Sequence, residues 1–181
     1  MLVWTKKAAA DALLRCGFSA SRSRILCSAA GIPRGFVEQC KDHGPQIMVG
    51  SFSRFDYGGF DGCLGSSLEV THVNEEEKTV KGKLVVGKEL RNTYGALHGG
   101  VTCTIVDVMG TMAILAADPS RAGVSIDLGV QFTRAAKVGQ EVDVVGQVIK
   151  YGRKLAFTSV ELIDPDNGAV IASGHHTKAF P

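Results

Sequence analysis

The chain has 181 residues, 45% of them apolar and 21% charged, which suits one soluble globular domain with some extra length and excludes a disordered chain. Net charge is only +2 and is concentrated at the start, where residues 1–36 hold six bases and a single acid, Asp11. The slightly acidic remainder argues against nucleic acid as the main partner, because phosphate binding needs clustered bases.

Residues 1–35 form a basic extension rich in Arg, Ser and Ala. That composition matches a mitochondrial transit peptide, with Leu2, Leu13, Leu14 and Phe18 on the apolar side of a helix and Lys6, Lys7 and Arg15 opposite. No apolar run of signal-peptide length occurs there, so a mitochondrial location is expected, with the cytoplasm as the alternative. A basic helix that stays on the protein is the plainer account of the same residues.

Residues 36–62 begin with a short helix over 36–48, ending near Gly44 and Pro45, and continue as a loop rich in Gly and Phe. The main domain occupies 63–181. Residues 66–73 and 79–86 alternate around a turn at Asn74 to Lys78 and predict a β-hairpin, with Val80, Gly82, Leu84 and Val86 on one side. Over 99–118, Val101, Ile105, Val108, Met112 and Leu115 recur at helical spacing. Four further strands are predicted over 124–132, 141–150, 155–163 and 169–180, the last two joined by the hairpin signal Asp164-Pro165-Asp166-Asn167-Gly168. The expected fold is α+β: an antiparallel six-stranded sheet wrapped around one long central helix, its open edges paired with a second subunit. The five cysteines are odd in number and never in C-x-x-C spacing, which fits neither a disulfide framework nor a zinc site and suggests reduced thiols.

Asp107 is the only charged residue between Gly99 and Ala117. A membrane span there would place this acid near mid-bilayer, at a cost of roughly 2.5–3.5 kcal/mol. Gly100, Thr104 and Thr111 share its stripe, and a stripe of small residues with no other charge fits a close approach by a ligand or backbone better than a wet face. The helix opens on His98-Gly99-Gly100, where free backbone N–H groups can receive an oxyanion. Two glycines making a tight turn would explain the same residues. Asp107 lies about 12 Å along the axis from Gly99 at about 1.5 Å per residue. A general base must come within hydrogen-bonding reach of its proton. One helix therefore cannot serve one carbonyl with both groups, and two antiparallel helices of a symmetric dimer can.

The run N-T-Y-G-A-L-H-G-G-V-T-C-T-I-V-D (92–107) resembles the signature of hot-dog-fold acyl-CoA thioesterases of the thioesterase superfamily member 2, or acyl-CoA thioesterase 13, type. The likeness continues through 123–132, 135–142, 150–162 and 174–178, while the first 60 residues, with the insertion SFSRFDYGGF (51–60), depart from it. It implies hydrolysis of medium- to long-chain fatty acyl-CoA to fatty acid and coenzyme A, without a metal or other cofactor, by a homodimer or a dimer of dimers. It also implies that Gly99 supplies the oxyanion N–H, that His98 steadies the loop and the thioester, and that Asn92 holds the thioester or the water. From the other subunit, Asp107 would be the general base and Ser125 would position the water. Coenzyme A would lie along two basic segments, Arg134 and Lys137, and Lys150, Tyr151, Gly152, Arg153 and Lys154, where exposed bases suit phosphates. Plain structural accounts remain for single residues: Ser125 facing water, His98 as a satisfied loop histidine, Asn92 as a turn residue, the bases as solvated charges. His175 and His176 have no carboxylate partner at ligand spacing and are expected to be structural.

Two alternatives compete. A hydroxyacyl-thioester dehydratase on the same fold would pair His98 with Asp107. A non-catalytic acyl-CoA-binding module would need neither group for chemistry.

Overall fold

The computed structural model describes residues 36–51, 53 and 60–181. The basic extension over 1–35 and most of the 51–60 insertion lie outside the described residues, so the targeting expectation lies outside them too.

Helix α1 (Phe36–His43) stops one residue before Gly44, whose φ of 80° turns the chain into a 3-10 turn over Pro45–Met48. Strand β1 is only Gly50–Ser51, too short to leave a periodic trace in the sequence. A 3-10 segment kinked at Gly65 then covers Phe60–Ser67, so β2 (Leu68–Asn74) starts two residues later than the alternation suggests. Strand β3 (Thr79–Val85) completes the hairpin, and Lys78 takes a φ of 54° at its turn. Helix α2 (Gly99–Ala117) follows, then β4 (Val124–Phe132), β5 (Glu141–Tyr151), β6 (Leu155–Ile163) and β7 (Val170–Ala179). The Asp164–Gly168 turn closes the last hairpin as expected, with the Gly168 N–H donating to the Asp164 carbonyl at 2.8 Å.

All pairings are antiparallel, in the order β1-β2-β3-β5-β6-β7-β4. The six expected strands make one sheet, and β1 extends it at one edge. Bulges in β2, β4 and β5 help bend it. Helix α2 lies in the hollow, and glycines set how close it comes. A methyl group at Gly146 would sit 2.8 Å from the Met109 carbonyl oxygen, and one at Gly174 would sit 2.6 Å from Val106 Cγ2. Ile105, Met109, Met112 and Leu115 are fully buried, together with Leu84, Val142, Val144 and Leu162 from the strands. By length and composition α2 could cross a membrane, but 72% of that stretch is buried inside the protein, which marks a core helix.

The far edge of the sheet is β4, whose one partner strand among the described residues is β7. Val124, Ile126 and Phe132 on it are 55%, 56% and 58% exposed. A nine-residue edge strand with three exposed apolar side chains offers greasy surface together with backbone groups unpaired among the described residues, a combination that invites another strand.

Candidate active site

The predicted site residues gather in two places on the chain. At the start of α2, the Asn92 side chain organises its own loop: its Oδ1 accepts from the Tyr94 N–H at 2.9 Å and the Ala96 N–H at 3.1 Å. Only its amide nitrogen is left to face a substrate. The His98 N–H donates to the Leu90 carbonyl at 2.8 Å, which pins the entry to the helix. His98 is the N-cap, its Nδ1 accepting the Gly100 N–H at 2.9 Å. A neutral imidazole that accepts at Nδ1 carries its proton on Nε2, so the exposed ring presents a donor. The Gly99 N–H has no hydrogen-bond partner among the described residues, as a first-turn donor needs if it is to receive an oxyanion. The Phe132 ring packs beside Gly99, 3.5 Å from where a β-carbon would stand. A shallow concavity of about 440 Å³, lined by Lys88, Arg91, Asn92 and Thr93, opens along the same loop.

The second group centres on Asp107. Its Oδ1 lies 3.4 Å from Ser125 Oγ, 3.5 Å from His176 Nε2 and 3.5 Å from Thr111 Oγ1. Its Oδ2 makes no hydrogen bond among the described residues and is free to take a proton. The side chain is 47% exposed, so in the single chain the carboxylate opens onto a surface where a ligand or another backbone could approach.

His176 corrects the expectation that the C-terminal histidines lack carboxylate partners. Distance along the chain hid both pairs: His175 sits 3.2 Å from Asp127, while fully buried His176 sits beside Asp107 and 2.9 Å from Ser125 Oγ. The His176 Nδ1 is buried without a partner and faces Gly110 of α2, where a β-carbon would come within 3.0 Å of it. A bare lone pair tolerates that place better than an N–H does, which assigns the proton to Nε2. Burial lowers the pKa of His176, with Asp107 opposing, and the ring is neutral. Its Nε2–H then donates to Ser125, whose own hydrogen is directed at Asp107.

Lys178 and Asp61 are also part of this neighbourhood: Lys178 falls in the 174–178 block of the family resemblance without an expected role, and Asp61 falls in none of its blocks. Lys178 is buried and donates to Thr111 Oγ1 at 2.8 Å. Burial lowers its pKa, against the pull of Asp107 and Asp61. The Asp61 carboxyl is held above its ordinary range, first by desolvation and then by Asp107, with Lys178 opposing.

The two basic segments expected to hold coenzyme A fall at opposite ends of one protomer. Lys137 bridges to Ala96 and Arg134 follows β4, both at the Asn92 end, and both are exposed. Lys150, Arg153 and Lys154 are exposed at the other end of β5, which spans roughly 30 Å at about 3.3 Å per residue. Arg121, stacked 3.9 Å from the Phe180 ring centroid, donates to the Arg153 carbonyl at 2.6 Å, and the Gly152 N–H donates to the Leu155 carbonyl at 2.8 Å. The Tyr151 hydroxyl is committed to Asp118 Oδ2 at 3.1 Å, so this residue shapes the turn.

A curved antiparallel sheet around one long helix, with a free N–H at the helix start and a carboxylate two turns on, defines the class: a hot-dog-fold thioester hydrolase. Residues 94–171 match the thioesterase superfamily. The chain is 39% identical over 119 residues to acyl-coenzyme A thioesterase 13 of Homo sapiens, covering 66% of this chain and 83% of that one. The Mus musculus protein of the same name is 36% identical over 124 residues, covering 68% and 86%. The crystal structure of zebra fish thioesterase superfamily member 2 superposes with a TM-score of 0.66 at 40% identity, covering 70% of this chain and 89% of that one. The chain belongs to the thioesterase superfamily, and over about two thirds of its length it is similar to the acyl-coenzyme A thioesterase 13 proteins.

Proposed function

We propose that this protein hydrolyses medium- to long-chain fatty acyl-CoA in a site assembled from two copies of the chain. The observation that carries the composite site is the separation of the two groups: a free donor at Gly99 and a free carboxylate oxygen at Asp107, about 12 Å apart along one rigid helix. The exposed apolar edge of β4 supports the same arrangement, because a second copy placed there antiparallel brings the start of one α2 toward the middle of the other. Such a pairing also moves the Lys150–Lys154 end of one copy toward the Arg134 and Lys137 end of the next. The bases that one protomer holds far apart then serve one coenzyme A. Phe132 beside Gly99 and the 93% exposed Tyr94 of the same loop supply apolar surface suited to an acyl chain.

In this reading the thioester carbonyl oxygen sits on the Gly99 N–H of one copy. Asp107 Oδ2 of the other copy takes a proton from water as the water oxygen attacks the carbonyl carbon. The negative charge that builds on the carbonyl oxygen is met by the Gly99 donor at the positive end of the helix. Collapse breaks the carbon–sulfur bond, and the sulfur leaves as the thiol with the proton first removed from water. The products are one fatty acid and one coenzyme A. Asn92 and His98 Nε2–H orient the thioester, while Ser125 fixes the base.

The test mixes two inactive variants. Asp107→Asn removes the base, and Gly99→Pro removes the donor at a first helical position where proline is tolerated. Mixed oligomers are expected to regain part of the thiol release across a series of acyl-CoA chain lengths. Verified mixed dimers with no recovery would sink the shared site, and formation of an enoyl product in place of free thiol would favour the dehydratase.

A further inference from the structure

His176 and Lys178 lie on the same side of β7 and both back onto Asp107, yet the reaction as drawn gives Lys178 no task. Lysine is rarely buried without a partner, and Lys178 is 7% exposed. Its ammonium only donates, so at 2.8 Å the Thr111 oxygen is the acceptor. The single hydroxyl hydrogen of Thr111 must then point away from Lys178. It has two acceptors there, the Asp107 carbonyl at 2.8 Å and Asp107 Oδ1 at 3.5 Å. The positive charge therefore lies no farther from Asp107 Oδ1 than these two contacts laid end to end.

The groups facing Asp107 come from every element around it. Ser125 of β4 donates toward Oδ1, and the neutral imidazole of His176 on β7 donates in turn to Ser125. Asp127 of β4 is turned to His175 at 3.2 Å. Asp61, on the 3-10 segment, is a second carboxylate in the same field: desolvation first and then Asp107 hold its carboxyl above the ordinary range. Lys178 is the cation that opposes both. The balance becomes more demanding when substrate displaces water, because charges act over longer range in a dry site.

We propose that Lys178 is a positioning residue for hydrolysis: through Thr111 it fixes the Asp107 carboxylate, and its buried charge offsets the joint negative charge of Asp107 and Asp61 when acyl-CoA covers the site. This rests on Asp107 being the general base. Lys178 touches no reacting atom, so its signature is in the pH dependence of the rate. With the cation removed, the negative charge on Asp107 is no longer opposed and the base is lost earlier as the medium becomes acidic.

The experiment measures kcat and KM for palmitoyl-CoA between pH 5 and 9 with the purified oligomer. Lys178→Met is expected to move the acid limb of kcat up by about one pH unit, a loss of up to about tenfold along that limb that vanishes toward pH 9, with KM little changed. Lys178→Arg is expected to restore the limb. Asp61→Asn, at an exposed position, asks the same question with the opposite sign and does not depend on Lys178→Met folding: its acid limb moves to lower pH. Unmoved limbs in Lys178→Met and Asp61→Asn, or a uniform loss at all pH values that Lys178→Arg does not repair, overturn the proposal. Asp107→Asn separates this from the reading beneath it. If that variant keeps wild-type activity, the base assignment fails; if it is inactive while the limbs stay put, only the role of Lys178 falls.

Discussion

The two halves of the site are built in opposite ways. The donor half, from Asn92 to Gly100, is held by bonds between neighbours: Asn92 to Tyr94 and Ala96, and His98 to Gly100. The base half is held across the fold, with Ser125 reaching Asp107 over 18 residues, His176 reaching Ser125 over 51 and Lys178 reaching Thr111 over 67. A half made of local turns is a motif, and it tolerates change elsewhere in the chain. A half made of long-range contacts is a product of the whole sheet, and it registers disturbance anywhere that α2 meets β4 and β7.

The sharpest way to test this contrast is to remove the working atom from each half without disturbing its frame. Asp107→Asn keeps the shape and loses the base, and thiol release is expected to fall by about 10²–10⁴-fold, the usual worth of a positioned general base. Gly99→Pro deletes a single N–H. His98 already has φ −68° and ψ 134°, the extended conformation a residue before proline requires, so the helix entry is expected to survive. Loss of about 10²–10³-fold is expected, in the range of one oxyanion donor. Both variants are expected to melt within a few degrees of wild type. A Gly99→Pro protein that is folded and fully active removes Gly99 from the mechanism.

The same contrast explains what the sequence displays. The strands β4 and β6 were legible to the residue, because period-2 alternation bounded by Gly and Asp turns has few other solutions. Gly99 at a helix start and the lone Asp107 on an apolar helix stand out from the residues themselves, whereas Asn92 and His98 enter the candidate site only through the family resemblance. Ser66 and Ser67 were misplaced, since a short mixed run has too little period to separate a strand from a 3-10 turn. Asp61 lay in a Gly- and Phe-rich stretch with no period at all. The miss at His176 and Lys178 is more instructive. In β7 they alternate with Gly174, and all three face α2: Gly174 against Val106, His176 against Gly110, Lys178 against Thr111. Two polar residues on the inward face of a strand paired on both sides imply buried partners, a signal that periodicity alone contained.

Gly110 offers a smaller disturbance that discriminates between the halves. A methyl group there would stand 2.7 Å from Thr158 Oγ1 and 3.0 Å from His176 Nδ1. Gly110→Ala therefore forces β6 and β7 away from the helix and drags His176 with them. A cost of about 1–3 kcal/mol in denaturant unfolding is expected, as for other overpacked cores. Turnover should fall with KM nearly unchanged, because the donor half and the basic turns do not lean on this contact. Gly100→Ala is the control on the other half, since its new methyl meets only the His98 ring, at 3.1 Å. Equal losses of stability from the two substitutions would erase the distinction between a local and a distributed half.

The smallest expected effect concerns stability against pH, and its sign follows from the burial of His176. In the unfolded chain this imidazole takes a proton near the ordinary value of 6.5, whereas in the fold that value is lowered, chiefly by desolvation. Between the two values the unfolded chain binds more protons, so stability rises with pH across that interval. The contribution is therefore fully present above the ordinary histidine value and is lost as pH falls through the lowered one. His176→Gln keeps a donor toward Ser125 and removes the titration. Urea midpoints between pH 8 and pH 5 are expected to drop more steeply for wild type than for this variant. Parallel curves would mean that the ring charges in place beside Asp107, with a proton forced onto Nδ1 against Gly110, and would overturn the neutral imidazole.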